Sequence, residues 1–258
     1  MVSRSIQDYW DLKAESMGIA MTATMRDIQL RWLEIELLAR HLHPEDRVLD
    51  AGCGNGAATV LFAERVSYIE GIDFSSQMIE QAKRLAEADT KLQDKVSFQV
   101  GNVLDLSAYT EGSFDTVISQ RCLINLTSWT EQQKAIFQLA RVLKLGGRLL
   151  MIEGTQQGLD RLNAVRQMFN LHAIEKHWHN LLFDEAALSV LLDRHFLTLQ
   201  VRGLGAYYFV SRIVHPLLVA PNEPEFEARI NEIARRVASK LEGFEDISLN
   251  KLYVLRKY

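Results

Sequence analysis

The chain has 258 residues, of which 48% are hydrophobic and 24% are charged, and its formal net charge is −4. These values predict one ordinary globular domain and argue against a nucleic-acid partner, which usually requires a basic surface. The sequence shows no apolar run long enough for a membrane helix and no signal-peptide core, so no membrane partner is expected. Two cysteines, Cys53 and Cys122, give no disulfide framework and predict a cytoplasmic location.

The first part of the chain, residues 5–43, is predicted to be helical. Ile35 and Leu38 belong to a set of apolar residues that recur at helical spacing, and this pattern places Arg31 and Glu34 on the outer face.

Residues 46–56, Asp-Arg-Val-Leu-Asp-Ala-Gly-Cys-Gly-Asn-Gly, predict a buried strand ending at Asp50, then a glycine turn and a helix. Glycine allows positive φ and lets a ligand approach the backbone. The helix N-terminus offers free N–H groups and a partial positive charge. The turn therefore suits a polar metabolite with an adenosine-like body. Because Gly52-x-Gly54-x-x-Ala57 also fits the loose dinucleotide fingerprint, a nicotinamide cofactor stays open at this point.

A second short strand, residues 68–73, ends in Asp73, which follows Gly52 by 21 positions. An acid at this spacing, at the end of the second strand, is placed to bind ribose hydroxyls. The alternative is that Asp73 caps the next helix, a role that Ser75 would fill equally well.

Strands and helices alternate along the following residues, which predicts an open, mainly parallel sheet with helices on both faces. Gly146-Gly147 is predicted to end one of these helices, and a late apolar stripe is predicted to pack on the core. The predicted helices are 76–88, 130–143, 158–172 and 185–194; the later strands are 96–100, 112–119, the run after Gly147, 196–201 and one within 247–255; the stripe is Phe226, Ile230, Ile233, Val237 and Leu241.

Three strings together resemble the class I S-adenosylmethionine-dependent methyltransferases. They are Val48–Gly56, the Gly-Ser-Phe-Asp of residues 112–115 and the Leu-Lys-Leu-Gly-Gly of residues 143–147, where the family shows proline in place of Leu145. Dehydrogenases do not usually show this combination. The resemblance covers residues 46–153 and is much weaker beyond them.

The resemblance implies an α/β fold with a doubly wound, mainly parallel seven-stranded sheet and an antiparallel final strand. It also implies N-terminal helices and an inserted helical cap. We expect a single methyltransferase domain over 1–258, made of an N-terminal helical segment 1–44, a cofactor-binding core 45–153 and two substrate-cap insertions, 154–183 and 204–245.

The resemblance further implies S-adenosyl-L-methionine as cofactor and S-adenosyl-L-homocysteine as product. Asp50 and the turn backbone would hold the methionine part, and Asp73 would hold the ribose. Asn102 stands where the family commonly carries an acid that accepts from the adenine amine; its amide oxygen can accept equally, or it is only a turn residue. The predicted cofactor-binding residues are Asp50, Gly52, Cys53, Gly54, Asp73, Phe74, Met78, Asn102, Val103 and Gln120.

Catalysis by such an enzyme consists mainly of aligning the acceptor and removing a proton. His177 and His179 are the candidate bases because imidazole titrates near neutral pH, although either one would also serve as a packing or capping residue. Arg121 is the candidate for binding an acidic group of the substrate, or else forms a surface salt bridge. No metal is expected, since the histidines lack supporting ligands at metal-site spacing. Tyr9 and Trp10 either pack on the core or form a flap over the cofactor pocket.

The predicted function is O-methylation of a small molecule or glycan. The Asn-Pro-Pro-Tyr string of many nucleobase and amide methyltransferases is missing after the fourth strand, where residues 119–122 read Ser-Gln-Arg-Cys. The alternatives are methyl transfer to nitrogen of a small molecule or to RNA or protein, a nicotinamide-dependent oxidoreductase, and a non-catalytic cofactor-binding protein.

Overall fold

The structure is a computed structural model that describes residues 5–258. Its strands are β1 Arg47–Ala51, β2 Tyr68–Asp73, β3 Val96–Val100, β4 Phe114–Gln120, β5 Leu143–Gly154, β6 Phe196–Gly203 and β7 Asn250–Lys257. They form one sheet in the order β3-β2-β1-β4-β5-β7-β6. β7 is antiparallel to both of its neighbours, and the other pairings are parallel. The predicted doubly wound seven-stranded sheet with an antiparallel last strand is confirmed.

Helices cover both faces of this sheet. They are α1 Ile6–Met17, α2 Ile28–Ala39, α3 Thr59–Ala63, α4 Ser76–Glu87, α5 Trp129–Val142, α6 Gln156–Met168, α7 Glu185–Leu192, α8 Gly205–Phe209, α9 His215–Val219 and α10 Arg229–Ala238. Neighbouring residues of a strand point to opposite faces. Accordingly Val48 and Leu49 are both fully buried but belong to separate apolar clusters. None of the helices within residues 5–258 is long and apolar enough to cross a membrane.

The strand order reverses between β1 and β4. In open α/β sheets, ligands bind in the crevice that this reversal opens at the carboxyl ends of the strands. β1 ends at Ala51 and β4 at Gln120, so the glycine turn and the loop after β4 meet at this crevice.

The N-terminal part differs from the prediction of one helical stretch. α1 ends at Gly18, which has φ +54°, and α2 begins after Asp27, whose side chain accepts from the Leu30 amide at 3.0 Å. The prediction that Arg31 and Glu34 lie outside is wrong, because they are 6% and 0% exposed. The sheet covers α2 on one side and α10 covers it on another. The spacing of its apolar residues alone therefore did not show which residues of α2 are exposed.

Gly146-Gly147 does not end the fifth helix. α5 already ends at Val142, and both glycines lie within β5, opposite an irregularity in the β4 ladder. A Cβ on Gly147 would lie 2.9 Å from the carbonyl oxygens of Asp115 and Lys144. The glycine there lets two backbone segments approach closely, a role that the sequence pattern does not distinguish from a helix stop.

The late apolar stripe does not pack on the core as predicted. Ile233, Val237 and Leu241 are 51%, 37% and 62% exposed, whereas Ala234 and Ala238 are buried. α10 therefore turns its small residues toward α2 and α8 and its large apolar residues outward. Small side chains allow the helix backbones to approach closely, which explains why this face of α10 is the buried one.

Candidate active site

The turn after β1 requires glycine at two positions. Gly52 has φ +81° and Gly54 has φ +57°, both in the left-handed region. A Cβ on Gly54 would lie 2.9 Å from Thr24 Cγ2, and a Cβ on Gly52 would overlap the side chain of Cys122. The turn is thus held close to the α1–α2 connection and to the loop after β4.

Asp50 at the end of β1 is a buried carboxylate, 3% exposed. Its Oδ2 accepts from Thr59 Oγ1 at 2.6 Å. Burial raises the pKa of Asp50 to about 6, against the opposing effects of the Thr59 hydrogen bond and of the Arg31 charge. The carboxylate is therefore ionised at neutral pH and carries negative charge into the crevice.

Asp73 at the end of β2 is hydrogen-bonded to backbone amides on both oxygens. Oδ2 accepts from the Gly54 amide at 2.9 Å, and Oδ1 accepts from the Ser75 amide at 3.0 Å. Burial raises the pKa of Asp73 to about 6. The Ser75 hydroxyl, not Asp73, caps α4 by accepting from the Met78 amide at 3.0 Å. Asp73 is thereby fixed beside the glycine turn, with no helix-capping role.

One cavity of about 430 Å³ opens over these groups. It brings together eleven of the thirteen residues that the sequence singled out, from the glycine turn, β2, the loop after β4 and the segment after α6. They are Asp50, Gly52, Cys53, Gly54, Asp73, Phe74, Met78, Gln120, Arg121, His177 and His179.

Asn102 and Val103 do not line this cavity. Asn102 is exposed, and its Oδ1 accepts from the Leu104 amide at 2.9 Å, which is the turn interaction weighed as its alternative role. Val103 is 8% exposed and packs in the apolar cluster on the α5 side of the sheet. Their assignment to the adenine stays a prediction.

α1 forms a roof over the cavity through its aromatic residues. The Tyr9 and Trp10 rings lie 4.6 and 5.6 Å from the His179 ring, centroid to centroid, and all three residues line the cavity. Ser75 Oγ donates to Asp11 Oδ1 at 2.5 Å and so joins α1 to the start of α4. This placement agrees with the flap interpretation of Tyr9 and Trp10.

The two candidate bases lie side by side, with His177 and His179 ring centroids 5.5 Å apart and the rings parallel. Burial, together with the neighbouring His177 and Arg121 charges, lowers the pKa of His179 to about 4. Burial also lowers the pKa of the more exposed His177. Both imidazoles are thus neutral at neutral pH. Among residues 5–258, no hydrogen-bond partner reaches the buried His179 Nδ1.

Sequence reasoning missed two charged residues of α2. Arg31 lines the cavity, and its guanidinium donates to Thr24 Oγ1 at 2.6 Å and to Met21 Sδ at 3.2 Å. Burial lowers the pKa of Arg31 to about 10, so it remains charged. Glu34 lies beneath, accepting from Gln120 Nε2 at 2.8 Å and from Asn250 Nδ2 at 2.9 Å. The available signal was that α2 is apolar nearly all round, which predicts burial of every face.

Glu153, at the end of β5, was also missed as a functional residue. Its carboxylate accepts from the backbone amides of Cys122, Leu123 and Ile124 at 2.9–3.3 Å. Burial raises the pKa of Glu153 to about 7. Glu153 therefore fixes the loop that carries Arg121 into the cavity.

Residues 42–186 match the model of a protein family described as "Methyltransferase domain". The match spans more than half of the chain. The chain belongs to this family of methyltransferases. The methyltransferase class and the S-adenosylmethionine cofactor implied by the three strings are confirmed, and the nicotinamide alternative falls away.

Two curated relatives match between about half and three quarters of the chain. A demethylmenaquinone methyltransferase of Symbiobacterium thermophilum is 30% identical over 155 residues, which are 58% of this chain and 59% of that protein. A ubiquinone/menaquinone biosynthesis C-methyltransferase of a Ruegeria species is 24% identical over 194 residues, 74% of this chain and 73% of that protein. The chain thus spans less than two thirds of the length of the first of these relatives.

Solved structures share the fold over most of the chain. An S-adenosylmethionine-dependent methyltransferase of Methanosarcina mazei superposes with a TM-score of 0.56 at 22% identity, covering 86% of this chain and 96% of that one. Geranyl diphosphate C-methyltransferase of Streptomyces coelicolor, solved with S-adenosyl-L-homocysteine, gives 0.61 at 17% identity, covering 90% and 77%. At these identities the likeness concerns the fold.

Proposed function

We propose that this methyltransferase transfers the methyl group to an oxygen of a small organic molecule. One observation carries the proposal: a single cavity joins the Asp50–Asp73 end of the sheet to the neutral imidazoles of His177 and His179. Methyl transfer to a hydroxyl needs a bound cofactor and a proton acceptor in one water-excluding space.

The residues at the sheet end fit S-adenosylmethionine. The backbone turn at Gly54 has no room for a side chain. The polar groups around it combine carboxylates with one buried guanidinium, that of Arg31. Asp73 would hold the ribose, and Asp50 with the turn backbone would hold the methionine ammonium. Arg31, charged and without a carboxylate partner within salt-bridge distance among residues 5–258, would hold the methionine carboxylate. When bound, the cofactor supplies an electrophilic methyl group on a sulfonium leaving group.

The protein's own groups then exclude water and move a proton. α1 covers the cavity with Tyr9 and Trp10. During transfer the acceptor oxygen gains the methyl group and loses its proton, and the His177 imidazole would accept that proton. His179, with its pKa near 4, is the weaker base and would position the acceptor through Nδ1, which has no hydrogen-bond partner in the described part of the chain.

A small acceptor is supported by the cavity and by the relatives. The wall combines aromatic and aliphatic side chains under a roof, which suits a compact apolar body better than a glycan. Relatives of the chain include methyltransferases of demethylmenaquinone, ajmaline and geranyl diphosphate, which are all small molecules. The relatives include C- and N-methyltransferases, and one is an O-methyltransferase. Oxygen is therefore our proposal on the strength of the imidazole pair.

We further propose the cap role of residues 154–183 and 204–245, since Ile174 and Tyr208 from these segments line the cavity. Cys53 and Cys122 are free thiols, which is compatible with the cytoplasmic location that we propose.

The test combines binding with labelled methyl transfer. Calorimetry should show binding of S-adenosyl-L-homocysteine and none of NAD. Incubation with methyl-¹³C S-adenosylmethionine and a metabolite extract should then label a small-molecule fraction, with the carbon resonance of a methyl ether or ester. A C-methyl or N-methyl resonance would overturn the oxygen assignment, and label in RNA or protein would overturn the small-molecule assignment.

A further inference from the structure

We propose that the methyl acceptor carries an anionic head group, a carboxylate or a phosphate, and that Arg121 and Tyr208 bind it. We call these two residues the anion subsite. The inference rests on the proposed function and names the chemical class of its substrate.

The charge of the cavity differs from that of the whole chain. The protein has a net charge of −4, yet six basic residues and four acidic residues line the cavity. The basic residues are Lys13, Arg26, Arg31, Arg121, Lys176 and Arg212, and the acidic ones are Asp27, Asp50, Asp73 and Glu175. Two of the four acids, Asp50 and Asp73, belong to the cofactor end. Arg31 also belongs to the cofactor end, so the remaining wall carries five basic and two acidic residues and attracts an anion.

Arg121 differs from the other buried cations of this wall in its partners. Arg212 forms an ion pair with Asp27, and Arg31 donates to the Thr24 hydroxyl. The Arg121 guanidinium donates to the thioether of Met25 at 3.1 Å, which is a weak acceptor. The Glu34 carboxylate forms a longer ion pair with Arg121, 3.8 Å from Nη1, which is beyond hydrogen-bond distance. Among residues 5–258, no oxygen accepts from this guanidinium, so most of its donors remain for a ligand.

The carboxylate of Glu34 is also committed elsewhere. One oxygen accepts from Gln120 and the other from Asn250, at 2.8 and 2.9 Å. Glu34 thus supplies a negative charge next to Arg121 without accepting hydrogen bonds from the N–H groups of its guanidinium. Such a planar fork binds a carboxylate or phosphate through two parallel hydrogen bonds.

Tyr208 supplies an independent observation. Its residue is 2% exposed and lines the same cavity, and its hydroxyl has no hydrogen-bond partner among residues 5–258. Buried hydroxyls are rarely left unpaired, because the lost hydration is not replaced. Burial raises the pKa of Tyr208, with Glu34 and Arg121 among the nearby charges, so the hydroxyl stays a donor. A ligand oxygen between the two groups would accept hydrogen bonds from both the Arg121 guanidinium and the Tyr208 hydroxyl.

The backbone at Arg121 supports a dedicated position. Arg121 has φ +56°, a conformation that favours glycine. It is held there by its amide, which donates to the Ile152 carbonyl at 2.8 Å, and by its carbonyl, which accepts from Asn125 Nδ2 at 2.7 Å. Glu153 secures the next three amides. An arginine kept in this conformation by so many contacts indicates a function of its side chain.

The rest of the wall defines the body of the acceptor. Ile124, Leu182, Leu249 and Phe226 line the cavity together with the aromatic roof of α1. We therefore infer an apolar molecule, aromatic or isoprenoid, that bears one anionic group.

The experiment uses naphthalene-2-carboxylate as the probe, its uncharged analogue naphthalene-2-carboxamide, and 2-naphthyl phosphate. Each is titrated calorimetrically into the full chain saturated with S-adenosyl-L-homocysteine. We expect the carboxylate or the phosphate to bind at least tenfold more tightly than the carboxamide, and the tighter of the two identifies the head group. Equal binding of all three would overturn the inference.

Substitutions test whether the preference for an anionic probe over the carboxamide depends on the anion subsite. Arg121→Gln should abolish it, Tyr208→Phe should reduce it severalfold, and Arg121→Lys should restore part of it. Arg65→Gln, a change at an exposed arginine, is the matched control and should leave the preference intact. If Arg121→Gln does not fold, Tyr208→Phe and the wild-type probe comparison still decide.

A cofactor readout separates this inference from its alternatives. Binding of S-adenosyl-L-homocysteine should change less than threefold in Arg121→Gln. A tenfold loss would assign Arg121 to the cofactor carboxylate and overturn the anion subsite. Failure of the wild-type protein to bind S-adenosyl-L-homocysteine would instead sink the proposed function, so the two failures are distinguishable.

Discussion

The two ends of the cavity are built from different parts of the chain. At the cofactor end, Asp50, Gly54 and Asp73 come from the ends of two neighbouring strands, and backbone hydrogen bonds fix them relative to one another. At the end that we assign to the acceptor, the wall combines residues from α1, the loop after β4, the segment after α6 and α8. These segments are far apart in the sequence; side chains of all four line the cavity, and one backbone hydrogen bond, from the Leu181 amide to the Ile124 carbonyl at 2.6 Å, joins the segment after α6 to the loop after β4.

This difference shows where substitution is tolerated. The cofactor end depends on φ angles and on amide positions, so a single added Cβ disrupts it. The acceptor end depends mainly on which side chains are present, so substitutions there should change ligand binding more than the fold. The predictions below test this division, starting with the largest expected effect.

Gly52→Ala should lower the affinity for S-adenosyl-L-homocysteine on the order of 100-fold. A left-handed alanine costs roughly 1–2 kcal/mol, and the overlap with Cys122 adds about 1–3 kcal/mol of overpacking. Calorimetric titration measures the change. Gly146→Ala is the matched control, since Gly146 has φ +75° but no atom lies within 4 Å of an added Cβ. Equal loss in both variants would mean that strain alone, and not the crowded turn, controls binding.

Asp73→Ala should weaken cofactor binding at least tenfold, or about 1.4 kcal/mol, because it removes a charged hydrogen-bond acceptor for the ribose. It also frees the Gly54 and Ser75 amides that the carboxylate now binds. Asp94→Ala, at an exposed position, should bind as the wild type does. Unchanged affinity in Asp73→Ala would refute the ribose assignment.

The difference between the cofactor end and the acceptor end also explains which features could be predicted from the sequence. The bounds of β2 and β3 were predicted correctly, and so were the glycine turn and the acid at the end of β2. These features follow from local rules: strand ends, positive φ and short spacings specify them within about thirty residues.

Features that depend on distant contacts could not be predicted in this way. Arg31 and Glu34 were read as an outer face from apolar spacing. The apolar composition of α2 indicates burial, but it does not show that α10 and the carboxyl edge of the sheet enclose these two charges. The Tyr208 hydroxyl, which has no hydrogen-bond partner within residues 5–258, also depends on tertiary contacts that the local sequence does not set. Arg121 was singled out by its place after β4, but its backbone conformation became visible only in the structure.

Cofactor affinity should fall as the pH is lowered through 6. Burial raises the pKa of Asp50 and Asp73 to about 6, so both carboxylates are ionised at pH 7.5 and become protonated below 6. Only the ionised form accepts hydrogen bonds at every oxygen. Protonation of each carboxylate should therefore reduce the affinity roughly fourfold between pH 7.5 and 5.5. Titration of S-adenosyl-L-homocysteine across this range measures it. An affinity that rises toward acid pH would contradict the raised pKa values.

The smallest effect is expected on the outer face of α10. Ile233→Gln should change the free energy of unfolding by less than about 0.5 kcal/mol, because the side chain is half exposed and surface changes rarely exceed this amount. Ala234→Gln on the same helix should instead destabilise by about 1–3 kcal/mol, since Ala234 is fully buried beside α2 and a larger side chain overpacks that contact. Urea denaturation of both variants gives the two values. If Ile233→Gln proved as costly as Ala234→Gln, the apolar stripe would be packed in solution, and the core role predicted from its spacing would be restored. With the expected result, helical apolar spacing does not identify the buried face of α10.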